Sequence, residues 1–190
     1  MKRAPVDGSP EGNSVMSAED RQEMTAPAPA EGGGKKLSFR EARPEDEMLL
    51  LSWTNDPETR KNSFSSGPVS PETHHAWFSR RLSDKNCVIL IFFRGDEPAG
   101  QVRLECENDT ARISYSVARE HRGKGYGKEM VSLAIGYALT GRPEIKVFRA
   151  EVKPDNIPSL RIFGSLGFTE VSSDDKNVCF ILVKPEKLPK

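Results

Sequence analysis

Arg122-Gly123-Lys124-Gly125-Tyr126-Gly127 is the stretch on which the fold of this chain turns. On its N-terminal side residues 113–117 alternate apolar and polar, the period of a half-buried strand. On its C-terminal side Met130, Leu133, Ala134, Tyr137 and Ala138 fall at i, i+3, i+4, i+7 and i+8, one face of a helix. The order is therefore strand, glycine-rich turn, helix start. A helix start offers backbone N–H groups and the positive end of the dipole, and glycines let an anion approach the backbone closely. Arg122, Lys124 and Lys128 add positive charge, so the guest this turn suits is a pyrophosphate. Two nucleotide patterns do not fit: GxxxxGK[ST] is absent, and the glycines at 123, 125 and 127 read GxGxG rather than GxGxxG. A plain glycine-rich turn with solvated lysines is the alternative.

A second segment narrows the choice. Glu151-Val152-Lys153-Pro154-Asp155-Asn156-Ile157-Pro158-Ser159 is followed by Phe163 and then by Gly167-Phe168. Arg122-x-x-Gly125-x-Gly127 resembles the coenzyme A loop of the GNAT acetyltransferases, R/Q-x-x-G-x-G/A. The second segment resembles that family's strand–helix pattern E-V-x-x-x-N-x-x-[AS]-x-x-x-[YF]-x-x-x-G-F, and the resemblance spans residues 37–184. It implies an α/β (α+β) fold: a mixed central sheet of six or seven strands flanked by about four helices, in the order β-α-α-β-β-β-α-β-α-β-β. It also implies acetyl-CoA as cosubstrate, an amine as acceptor and no metal.

Composition supports one domain behind a tail. Residues 1–36 contain no Leu, Ile, Phe, Tyr or Trp, hold Ala26-Pro27-Ala28-Pro29 and a Gly32-Gly33-Gly34 run, and are expected to be disordered. They lack the apolar centre of a secretory signal. Residues 37–190 suffice for a real core. Lys+Arg and Asp+Glu balance at 28 each, which argues against general nucleic-acid binding. No apolar run approaches the roughly 20 residues of a membrane span. Cys87, Cys106 and Cys179 are odd in number and show no CxxC spacing. They read as buried thiols in a cytoplasmic protein, and a homodimer is left open.

The rest of the domain parses by its punctuation. Residues 37–42 read as a strand, and Pro44 with Glu45, Asp46 and Glu47 starts a short helix that ends near Asn55-Asp56-Pro57. Residues 59–69 read as a polar loop. Ser70-Pro71-Glu72 opens a second helix running to about Leu82. Strands follow over 88–93, 100–105 and 111–117, then the glycine turn, a helix to about Gly141, a strand over 146–152, a helix over 159–166 closed by Gly167, and strands over 168–171 and 177–183.

Amine acetylation needs a base for the ammonium and donors for the oxyanion. The resemblance makes Glu151 the candidate general base, on the strand face it shares with Val147 and Arg149; a salt bridge to Arg149 is the alternative. Glu105 and His74 are reserve bases. A backbone N–H near Val117 is expected to meet the oxyanion, beside a bulge that splays this strand from the next and admits the pantetheine arm. The residues from Arg122 through Gly123, Lys124, Gly125, Tyr126 and Gly127 to Lys128 are expected to hold the pyrophosphate. Asn156 and Ser159 either cap their helix or touch the pantetheine. Phe163 stands where many members of the family carry the tyrosine that protonates the thiolate, so it keeps the ring without the proton, and water or Tyr115 must serve instead.

For the acceptor, the run from Trp53 to Ser63 followed by Val69 to Phe78 resembles members that acetylate nucleotide-linked amino sugars, of the pseudaminic acid pathway type. Asn55, Arg60, Asn62, Ser63 and His74 are the candidate acceptor contacts, able to bind hydroxyls or phosphates. Trp53 and Trp77 either stack on the acceptor or fill the core. A protein or peptide acceptor, or a non-catalytic acyl-CoA-binding module, are the other readings.

Overall fold

The computed structural model describes residues 36–184, so residues 1–35 of the expected tail lie outside it. Its elements in order are β1 (Leu37–Glu41), a 3-10 turn (Pro44–Asp46), α1 (Glu47–Thr54), α2 (Pro57–Asn62), α3 (Pro71–Ser83), β2 (Cys87–Arg94), β3 (Glu97–Glu107), β4 (Thr110–Val117), a 3-10 turn (Arg119–His121), α4 (Tyr126–Gly141), β5 (Val147–Val152), α5 (Ile157–Ser165), β6 (Thr169–Ser173) and β7 (Val178–Val183). The expected order holds with one addition: α2 stands where a polar loop was read. Asp56 caps it, accepting from the amides of Glu58 and Thr59 at 3.0 Å each, and Pro57 takes the first helical position. It buries none of its residues, so no apolar period announces it.

The seven strands form one sheet in the order β1-β2-β3-β4-β5-β7-β6. Only β4 and β5 are parallel neighbours, paired from Thr110↔Val147 to Ile113↔Ala150. There the ladder ends, although β4 continues to Val117 and β5 to Val152. β4 stays with β3 in unbroken register from Gly100↔Val117 to Glu107↔Thr110, while β5 leaves with β7 as far as Val152↔Val178. The sheet thus opens as a V between two halves. The expected bulge in β4 is not needed for it: register shifts occur instead at Phe92/Phe93 and Glu170/Ser172.

Strand alternation builds two unlike faces. On one, Leu104, Ala111, Ile113, Phe148, Ala150 and Phe180 are buried with Met130, Val131 and Ala134 of α4 and Phe163 of α5. On the other, Cys87, Ile89 and Ile91 of β2 pack with Leu50 of α1 and Phe78 of α3. That second face is polar on the central strands, where Arg112 and Arg149 are about half exposed. Gly167 takes φ +83° just past α5, the left-handed cap its position announced. Cys87 and Cys179 are buried and all three cysteines are unbridged.

Candidate active site

The glycine turn follows β4 through the 3-10 turn and starts α4, as its sequence demanded. Gly123 and Gly125 adopt φ +71° and +82°, with open space where a Cβ would stand, so backbone conformation alone calls for glycine there. Gly127 has another reason. A Cβ there would lie 2.9 Å from Ile162 Cδ1 and 3.1 Å from Tyr115 Cε2, so glycine lets α4 settle against α5 and β4. The first backbone bond at the helix start runs from Lys128 N to Gly125 O at 3.2 Å. Among the described residues the amides of 123–127 have no backbone partner, and Lys124 and Lys128 are exposed beside them. Tyr126 is committed elsewhere, its hydroxyl accepting from Arg94 Nε at 2.7 Å. Arg122 is also spoken for: its Nε donates to Val117 O at 3.1 Å, Nη2 to Asp56 Oδ1 at 2.6 Å and Nη1 to Glu58 Oε2 at 3.0 Å. Its charge ties the turn to α2.

The V leads from this turn into the sheet. Ala118 donates to Ala99 O on the β3 side at 2.8 Å, so by alternation the Val117 N–H faces the side from which β5 has departed. On the face that carries α4 and α5, Tyr115, Ser159 and Phe163 meet. Tyr115 Oη and Ser159 Oγ lie 2.8 Å apart, and the Tyr115 and Phe163 rings pack edge to face at 5.9 Å. Burial raises the Tyr115 phenol above its ordinary 10.0, against a smaller opposing effect of the Ser159 hydrogen bond, so the group keeps its proton. Asn156 caps α5, its Oδ1 accepting from Ser159 N at 3.3 Å.

α2 lies across the mouth of the V. Arg122 holds its N-terminal end to the turn after β4, and Lys153 Nζ, just past β5, donates to Lys61 O at its C-terminal end at 2.8 Å. The expected acceptor residues mostly brace this bar. Asn55 Nδ2 donates to Val69 O at 2.9 Å and its Oδ1 accepts from Val69 N at 2.8 Å. Arg60 donates to Gly67 O and Ser63 Oγ, and Ser63 Oγ donates to Thr59 O. Asn62, at the last position of α2, has no side-chain hydrogen bond among the described residues. His74 departs furthest from expectation. It is 1% exposed, stacks on Phe78, and has no hydrogen-bond partner for either ring nitrogen. Burial lowers its pKa below 6.5, outweighing Glu47, and a substrate meets no edge of it. Trp77 is half-buried with Arg103 over its ring at 5.2 Å, and Trp53 packs on the same small core.

Glu151 stands one residue beyond the last β4–β5 pair, at the opening of the V, and accepts from Arg149 Nη2 at 2.8 Å. Glu105 is farther back along the same face, among Arg81, Arg103 and Arg112. Among the described residues no cluster of three or more His, Cys, Asp or Glu could hold a metal, and no helix is long and apolar enough to cross a membrane.

The family model for the acetyltransferase (GNAT) domain matches residues 36–169. The chain belongs to the GNAT acetyltransferase family. It is an acetyl-CoA-dependent N-acetyltransferase of that type. Among curated proteins it is 30% identical over 142 residues to the uncharacterized N-acetyltransferase p20 of Bacillus licheniformis, covering 70% of this chain and 79% of that one. Among solved structures it resembles spermidine N-acetyltransferase from Vibrio cholerae in complex with CoA and spermine, at TM-score 0.70 and 16% identity, over 78% of this chain and 95% of that one. A domain from Methanocaldococcus jannaschii gives TM-score 0.68 at 23% identity, over 78% and 99%. These likenesses establish the fold, a GNAT sheet with its V and the turn beside it. What sequence reasoning missed in this GNAT chain is α2 and its two anchors. The Asp56-Pro57 pair was the available signal, of the same form as Ser70-Pro71, but it also reads as a helix stop.

Proposed function

We propose that the protein transfers the acetyl group of acetyl-CoA directly to the primary amine of a small molecule, an amino sugar carried on a nucleotide being the acceptor class its α1–α3 segment resembles. The carrying observation is the V between β4 and β5, with unpartnered turn amides at one end and Glu151 at its opening. The amides of 123–127 bind the pyrophosphate, as a helix start binds anions. Lys124 and Lys128 supplement them, and Arg122 acts by fixing the turn. The pantetheine arm lies in the V, where the Val117 N–H faces the thioester oxygen and stabilises it as charge develops.

Glu151 takes the proton from the acceptor ammonium, directly or through one water. The nitrogen attacks the thioester carbon, the carbon–sulfur bond breaks and the electron pair leaves on the CoA sulfur. Tyr115, protonated and against Phe163, is the proton donor at hand for that sulfur. Asn55, Arg60 and Ser63 support the acceptor wall from behind, and Asn62 and Trp77 are its reachable polar and aromatic groups. His74 fills core. Thiol release from acetyl-CoA, followed over a panel of amino sugars, peptides and polyamines, tests the reading. Turnover of amino sugars supports it, turnover confined to peptides or polyamines replaces the acceptor, and absence of CoA affinity removes the whole account.

A further inference from the structure

Two arginines stand side by side at the edge of the V. Arg112 and Arg149 are register partners in the β4–β5 ladder, one pair before it ends at Ile113↔Ala150, and rise from the face that α1 and α3 leave bare. They are 50% and 49% exposed. Like charges directly opposite on a sheet are destabilising, so such a pair calls for a counter-ion. The protein supplies only part of one. Arg112 Nη2 donates to Glu105 Oε2 at 2.6 Å, and Arg149 Nη2 donates to Glu151 Oε1 at 2.8 Å. Glu105 is further divided between Arg81 and Arg103, the latter at 3.4 Å, and Asp84 reaches Arg81 alone at 3.7 Å. Ser114 Oγ is buried on the same strip with no hydrogen-bond partner, and buried Arg103 Nε has only its 3.4 Å approach to Glu105 Oε2. The whole chain balances its charges, so this excess of guanidinium is local.

We propose that Arg112 and Arg149 form a subsite for a phosphate or carboxylate carried by the acceptor, so that the amine substrate is itself an anionic molecule, such as a phosphorylated amino sugar, and not a polyamine. This rests on the transfer reading above. Each guanidinium has donors beyond the one it gives to its carboxylate, and two planar forks side by side match the oxygens of one phosphate. The subsite lies two residues along β5 from Glu151, roughly 7 Å at the rise of a strand. An amine at Glu151 therefore leaves an anionic group one sugar ring away over the arginines. The anion competes with Glu151 for Arg149, so docking the acceptor frees the carboxylate that must take the proton. A polycation meets the same strip as like charge.

The test compares glucosamine, glucosamine 1-phosphate, the dipeptide Ala-Glu and spermidine as acceptors for the full-length protein. Calorimetric titration of glucosamine 1-phosphate and Ala-Glu into CoA-saturated protein is run alongside. An anionic acceptor is expected to exceed glucosamine at least tenfold in kcat/KM, and which of the two leads assigns phosphate or carboxylate. Arg112→Gln and Arg149→Gln should erase that preference through KM for the anionic acceptor, with the calorimetric affinity falling in step and Arg112→Lys keeping part of it. Affinity for acetyl-CoA reports that each variant is folded. A preference for glucosamine or spermidine overturns the subsite, and so does an anion preference that survives the Arg112→Gln/Arg149→Gln double variant. Where CoA binds and no acceptor is turned over, calorimetry decides: failure of both anionic ligands to bind overturns it. Failure of CoA to bind would instead remove the transfer reading.

Discussion

In the proposed reaction Tyr115 does the work that a tyrosine at position 163 would do. The ring at 163 stays buried among Tyr115, Phe168 and Phe180, while the only hydroxyl of that group sits on Tyr115, 2.8 Å from Ser159 Oγ. Tyr115→Phe is expected to lower kcat about tenfold, less than the roughly 10²-fold or more of full acid–base catalysis because a thiolate leaves tolerably without a proton, with KM for acetyl-CoA little changed. Adding Phe163→Tyr in that background should recover much of the loss, whereas an unchanged kcat in Tyr115→Phe would leave the thiolate to depart unaided. Glu151→Gln keeps the shape and one acceptor for Arg149 but not the basicity. It should lower kcat/KM about 10²-fold; a full-rate variant would eliminate Glu151 as the base. At this scale the sequence was informative about which residues matter and less so about why. The three glycines of the turn were visible, but that two serve conformation and the third serves packing depends on Ile162 and Tyr115, which come from other elements. Arg122 read as a charge for the ligand, because the carboxylates that claim it lie more than sixty positions away.

Elements with an apolar face or a clear cap were legible: α3 begins at the Ser70-Pro71 signal, and β2 takes the continuous apolar run expected over 88–93 and extends it by one residue at each end, to Cys87 and Arg94. α2 was not, since a six-residue helix that buries nothing has no period to detect. Its place is fixed from outside, by Arg122 at one end and Lys153 at the other. Arg122→Ala should therefore act on the bar rather than on charge alone. Hydrogen bonds to charged partners contribute about 1.5–3 kcal/mol each when sheltered, and partial exposure here discounts the set to about 1–2 kcal/mol in all. KM should rise for acceptor and acetyl-CoA together, and amide exchange over 58–62 should quicken. Lys124→Ala, on the same turn without an internal ion pair, should weaken acetyl-CoA alone and leave stability and that exchange unmoved. Equal effects of the two variants on exchange would mean that Arg122 does not anchor α2.

At the scale of the whole molecule, three sets of groups among the described residues bear on how stability varies with pH. Asp46 has its pKa lowered: burial pushes it up, but the hydrogen bonds from Arg40 and from Arg43 N, with the charge of both arginines, outweigh burial. In Asp56 the same opposition is won by Arg122 and the amides of α2. A carboxylate whose folded pKa lies below its unfolded value stabilises above that value, and its contribution is lost as pH falls, here below about 3.8. His74 is the converse, a base that burial keeps neutral; unfolding lets it charge, so stability falls as pH drops below its ordinary 6.5. Burial pushes the Cys87 thiol from 9.0 to about 11, with smaller effects of its charged neighbours, and raises Cys106 in the same direction. Such a thiol gives its full contribution below the unfolded pKa and loses it as pH rises through the folded one. The urea midpoint should therefore be flat between about pH 6.5 and 9, slope downward below 6.5 on account of one residue, and steepen again below about 4. His74→Phe replaces a ring whose nitrogens have no partner by one that suits Trp77 and Phe78, so it should raise the midpoint and abolish the slope between pH 6.5 and 5 while the steep loss below 4 persists. If the wild-type midpoint is already flat from pH 8 down to 5, His74 charges in the folded protein, and its burial in the α1–α3 core is then not the state the protein occupies in solution.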